Sequence, residues 1–170
     1  FIASSKVASL AVQLCYYRGF AEFHASRWLS DSAELARVMG QVRCEGGHTQ
    51  IAKLLRHAQS EHRKARVRAL VFIGDAMEED ADSLCHLAGQ CGMLQLPLFL
   101  FQEGRERLVE TTFRSMAKLS GGAYARFDTS SAATLARLLG AVASFAAGGR
   151  SALEKLGNDS AKLLLQQLQT

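Results

Sequence analysis

The sequence predicts an α/β fold: a doubly wound, mainly parallel sheet with one antiparallel edge strand and helices on both faces. Three observations predict it. Val67–Ile73 is an almost continuous apolar run that stops at Gly74-Asp75, as strands buried on both faces of a parallel sheet do. Leu96–Phe101, LPLFLF, is a second such run. Amphipathic segments of helical period alternate with these runs from Thr49 to Ala147, the pattern of crossover connections.

The elements follow in order. Phe1–Ala8 reads as the tail of a helix. Leu10–Tyr17 and Phe20–Trp28 read as strands joined at Arg18-Gly19, hence a hairpin. Asp31 or Ser32 caps a helix through Val42, with Leu35, Val38, Met39 and Val42 on one face. After the glycine pair of CEGGHT, Thr49 begins a helix with Ile51, Leu54, Leu55 and Ala58 at helical spacing, ending in the basic stretch His62–Arg66. Past the Val67–Ile73 strand, Glu79–Cys91 is a helix stopped by Gly92. Pro97 places the start of LPLFLF near an entry turn. Gly104–Leu119 is a helix offering Leu108, Phe113, Met116 and Leu119 for packing, and Gly121-Gly122 end it. Ala123–Phe127 is a short strand. A helix runs from Ala132 to Ala147, Gly148-Gly149 is a hinge, and a last helix, interrupted at Gly157-Asn158-Asp159, carries Leu163, Leu164 and Leu168. Residues 1–147 thus form the α/β domain and residues 148–170 a helical extension.

Bulk properties narrow the function classes. At 170 residues, 48% of them hydrophobic and one a proline, the chain buries a core and is not disordered. Twenty basic against sixteen acidic residues give a charge of +4, too small an excess to call for nucleic acid. No apolar run is long enough to cross a bilayer, so no membrane partner is expected. Cys15, Cys44, Cys85 and Cys91 form no C-x-x-C pair, which favours a reducing, cytoplasmic setting. The chain begins at Phe1 without methionine and reads as incomplete at that end.

The candidate chemistry lies at strand ends. Asp75, at the carboxyl end of a buried strand, stands where open α/β sheets keep their ligands; the plainer role is to begin a turn and cap a helix. Thr49, after Gly46-Gly47-His48, puts a hydroxyl at a helix start, so that the two converge above the sheet as oxygen donors suited to magnesium, manganese or calcium. The acids Glu78, Glu79, Asp80 and Asp82 suit the start of the following helix. The histidines show no metal spacing. There is no G-x-S-x-G elbow, no G-x-x-x-x-G-K-[ST] loop and no G-x-G-x-x-G after a strand, so catalysis has little support. The alternative to a binding module is a small magnesium-dependent hydrolase or phosphotransfer protein on a flavodoxin-like sheet built around Asp75, with Asp128 and Glu103 as the remaining strand-end carboxylates.

The order of hairpin, GGHT-helix, apolar strand ending GDA, strand LPLFLFQEG and SGGAYARFD resembles the von Willebrand factor type A domain, especially its small bacterial members, over residues 1–147. The resemblance implies a Rossmann-like sheet and a protein-interaction module with a divalent-cation-dependent adhesion site. Thr49 matches the family's threonine and Asp75 its aspartate as metal ligands for Mg2+ or Mn2+, with Gly47, His48 and Gly74 as supporting neighbours. The family's Asp-x-Ser-x-Ser loop has no counterpart, nor has its first, central strand. The metal should therefore bind weakly or not at all in this chain, and a gap should open beside Val67–Ile73. A protein partner is expected at the carboxyl edge of the sheet, with self-association through the gap as a further route.

Overall fold

The computed structural model describes residues 10–19, 22–42, 47–128 and 132–168. The expected helix tail at Phe1–Ala8, Cys44, and Gly46 of the CEGGHT loop lie outside them. The elements are β1 Cys15–Arg18, β2 Glu22–Ala25, α1 Ser32–Gln41, α2 Ile51–Lys64, β3 Leu70–Gly74, α3 Ala81–Met93, β4 Leu98–Glu103, α4 Arg107–Ser120, β5 Ala123–Phe127, α5 Ala132–Leu156 and α6 Asp159–Leu165. The fold is α/β in a Rossmann-like arrangement. β3, β4 and β5 form a parallel sheet in that order, and β1 and β2 an antiparallel pair of their own.

Alternation along the strands splits the core into two layers. Leu70, Phe72, Leu98, Leu100 and Tyr124 share one cluster with Ile51 and Leu55 of α2, Leu84 and Leu87 of α3, and Phe113 and Met116 of α4. Phe99, Phe101, Ala123, Ala125 and Phe127 share the other with Leu138 and Val142 of α5, Leu164 of α6, and Leu168. Leu153, Ala161, Leu164 and Leu168, all beyond Gly148-Gly149, belong to this second layer.

Several expectations are corrected. The hairpin pairs as predicted, from Cys15↔Ala25 to Arg18↔Glu22, but Leu10–Leu14 adds only the isolated bridge Val12↔Leu29. The hairpin is not an edge strand of the main sheet: among the described residues β3 pairs with β4 alone. Among the described residues β3 is therefore an edge strand of the three-stranded sheet. This also overturns the expectation that Val67–Ile73 is buried on both faces. The ladder begins only at Leu70, whose N–H donates to the Pro97 carbonyl, Val71 is half-buried, and Ile73 is 43% exposed. A strand with one neighbour lacks half its flanking side chains. β4, paired on both sides, has residues from Leu98 to Gln102 buried. It runs two residues past the expected end because Gln102 still pairs with Gly74 and Glu103 with Phe127.

Gly92 does not stop α3, which continues to Met93 and turns at Gln95, a non-glycine residue with φ 55°. Gly92 instead permits close packing, since a Cβ there would run into the Leu119 carbonyl at the end of α4. α3 itself starts at Ala81 rather than Glu79, capped by Asp80. In α4, Phe113 and Met116 are buried as expected but Leu108 and Leu119 are exposed, Val109 and Ala117 taking their place. Likewise α1 buries Leu35 while Met39 is exposed, and Leu163 of α6 faces outward. In each case the apolar stripe is narrower than the sequence offered. Gly121, at φ 71°, ends α4 as expected.

By length and composition alone α5 is apolar enough for a membrane span. Its geometry breaks at Gly148 and Gly149, the hinge expected from the sequence. The uninterrupted part, Ala132–Ala147, rises roughly 24 Å at about 1.5 Å per residue, short of a hydrocarbon core about 30 Å thick.

Candidate functional site at the carboxyl end of β3

Four segments meet where β3 ends: the end of β1, the loop before α2, Gly74-Asp75, and the acidic turn into α3. The first amides of α2 need acceptors, and Gln50, at its N-cap position, makes no side-chain cap. The acceptors come from a distant loop. The Ile51 N–H donates to Glu79 Oε2 at 2.7 Å and the Ala52 N–H to Glu79 Oε1 at 2.8 Å. The Thr49 N–H donates to Glu78 Oε2 at 2.8 Å, and the Glu78 N–H donates back to Thr49 Oγ1 at 3.1 Å. This is the reciprocity of a capping box, made across the chain. Of the three consecutive acids, Asp80 alone caps the helix it precedes, accepting from the Ser83 N–H at 2.8 Å.

Glu78 and Glu79, read from sequence as acids for the start of α3, are thus clamped to α2. Their adjacency to Asp80 hides this, because every local rule assigns all three to α3. Tyr17 was also missed. Its hydroxyl is pushed up to about 12, first by burial and then by the charges of Glu79, Glu78 and Asp75, which puts the end of β1 against the same acidic corner.

Thr49 and Asp75 both belong to this corner. The Thr49 hydroxyl accepts the Glu78 N–H and keeps a second lone pair. Asp75 is exposed and, among the described residues, makes no hydrogen bond or ion pair. His48 is exposed and close enough to Glu78 to favour its ionised form. Gly47 packs on the hairpin turn, where a Cβ would collide with the Gly19 main chain. Gly74 ends β3, and a Cβ there would sit 2.8 Å from the Phe72 ring. By donor chemistry alone, Thr49 and Asp75 offer at most two of the roughly six oxygen ligands a magnesium ion takes. No group of three His, Cys, Asp or Glu side chains is placed to hold a metal among the described residues. At the neighbouring strand end, the buried Gln102 is already satisfied: the Tyr124 hydroxyl donates to its Oε1 at 2.7 Å, and its Nε2 donates to the Glu106 carbonyl at 2.9 Å.

The Glu78 carboxyl is held below the usual carboxylate range, chiefly by the Thr49 N–H and then by the Thr49 hydroxyl contact. A depressed folded-state value contributes stability that is present above the unfolded value, about 4.3 for glutamate, and is lost as pH falls through the folded value. The acid limb of Tm against pH should therefore be shallower in Glu78→Gln than in the parent, with little difference in slope near neutral pH. Scanning calorimetry across the acid range checks this.

What the fold and this corner define is a Rossmann-like α/β protein with an acidic, partly open edge at the end of β3. Comparison with protein-family models, curated proteins and solved structures finds no match to this chain.

Proposed function

We propose that the chain is a cytoplasmic protein-interaction module of the von Willebrand factor A type that meets a protein partner at the carboxyl edge of its sheet. The observation that carries this reading is Asp75: exposed and without a partner among the described residues, beside glutamates already committed to α2. A carboxylate left over at a strand end is available to a ligand. Thr49 and Asp75 give Mg2+ or Mn2+ a weak foothold, and a partner or water completes the coordination. The gap flanking β3 offers a second contact, through which copies of the chain associate.

The test is paramagnetic broadening of amide resonances by Mn2+ in the isotopically labelled chain. Broadening should centre on residues 47–49 and 74–78 and vanish in Asp75→Ala. Broadening that is spread over the surface carboxylates, or that persists in Asp75→Ala, would remove Asp75 as the cation's ligand and with it the cation-dependent reading.

A further inference from the structure

The two edges of the main sheet are treated differently. Among the described residues β3 has one strand beside it, and so has β5, whose outer edge carries main-chain groups that a second strand would pair. At β5 the outward groups of its central part, those of Tyr124, are occupied by a side chain, while the Arg126 N–H also faces that edge. The Tyr124 N–H donates to Gln167 Oε1 at 2.9 Å, and Gln167 Nε2 donates to the Tyr124 carbonyl at 2.9 Å. One primary amide thereby reproduces the donor and acceptor that a single residue of an antiparallel neighbouring strand would present.

The rest of the segment holds that amide in place. Asn158 caps α6 by accepting the Ala161 N–H at 2.8 Å. Ala161, Leu164 and Leu168 are buried in the layer under Phe99 and Phe101. Arg150 Nη1 donates to the Leu168 carbonyl at 3.1 Å, and Gln167 Nε2 is also shared with the Leu163 carbonyl at 3.2 Å. Gly149 and Gly157, at φ 67° and 61°, give the chain its two reversals on the way to the edge. The strand being covered, AYARF, has four of its five residues buried and contains no proline or lysine. A largely apolar edge with a single charge, Arg126, pairs with its like when uncovered.

We infer that residues 158–168 form an edge strap in which Gln167 acts as a surrogate strand, keeping β5 from pairing with β5 of a second copy of the chain. The strap is independent of whatever binds at Asp75, which lies at the end of β3, on the far side of β4.

The experiment reads the Tyr124 amide by hydrogen exchange and the mass of the full chain by sedimentation. Gln167→Ala removes both bonds to Tyr124 and should speed exchange of the Tyr124 amide about tenfold. The Ala125 amide serves as an internal control, because alternation turns it toward β4 and its exchange should not change. Gln167→Ala should also associate more than the parent. Adding Arg126→Pro should return association to the parental level, since alternation turns the Arg126 N–H to the outer edge and proline there blocks a new strand without removing a bond to β4. If Gln167→Ala fails to fold, Gln167→Glu carries the same comparison: it keeps an acceptor for the Tyr124 N–H and withdraws the donor to its carbonyl, so a smaller rise is expected. An unchanged Tyr124 rate, association no greater than in the parent, or association that Arg126→Pro leaves intact would overturn the inference.

Discussion

Phe101→Ala should lower the free energy of unfolding by about 3–5 kcal/mol, whereas Ile73→Ala should cost roughly 1 kcal/mol or less. The two residues are register partners on β4 and β3, on the same face of the sheet, and both close an apolar run in the sequence. Phe101 is fully buried, in the cluster with Leu138 and Leu164. Ile73 is 43% exposed at an edge with no strand beyond it among the described residues. Truncating Phe101 removes a ring from a packed layer and leaves a cavity; truncating Ile73 removes surface that water already reaches. Urea unfolding of the two variants measures the contrast. Equal losses would show that Ile73 is covered as fully as Phe101, and that β3 is not an open edge.

That contrast marks what the sequence could disclose. Apolar runs announce strands, and β4 and β5 lie close to where LPLFLF and AYARF placed them. Burial, however, belongs to the neighbours and not to the run. Val67–Ile73 looks as buried as Leu96–Phe101 until the number of flanking strands is known. The helix faces show the same limit. Leu108, Leu119 and Leu163 have helical spacing, but the layer above the sheet is only wide enough for part of each stripe.

The site was legible only in its outline. Thr49 and Asp75 stand out as candidates because glycine and a strand end precede them, both local signals. The use of Glu78 and Glu79 by α2 rests on contacts 27–29 residues apart in sequence, and no local rule looks that far. Gln167 is harder still: its partner Tyr124 is 43 residues away, and one glutamine among the several at the chain's end carries no mark of its role. Gly92 shows the reverse error, where a good local rule for a helix stop yields to a packing demand from α4.

The clamp on α2 leads to the second large effect. Glu79→Ala should destabilise the fold by about 2 kcal/mol, from loss of two charge-assisted bonds at a helix N-terminus. Ile51, whose N–H is one of the donors, is itself fully buried, so the freed amide has poor access to water and the loss is not recovered by solvation. Glu79→Gln keeps an acceptor but loses the charge that favours the positive end of the helix dipole, and should cost about half as much. The two variants separate the hydrogen bonds from the charge. The expected signature is local as well as global: the Ile51 and Ala52 amides should exchange faster in Glu79→Ala than their parents do, while those of α4, which Glu79 does not touch, should follow global stability alone. Because the same turn carries Asp75 and Glu78, the variant should also blur any Mn2+ broadening at residues 47–49. A loss of stability without change at Ile51 and Ala52 would mean that Glu79 acts through the α3 turn and not as the cap of α2.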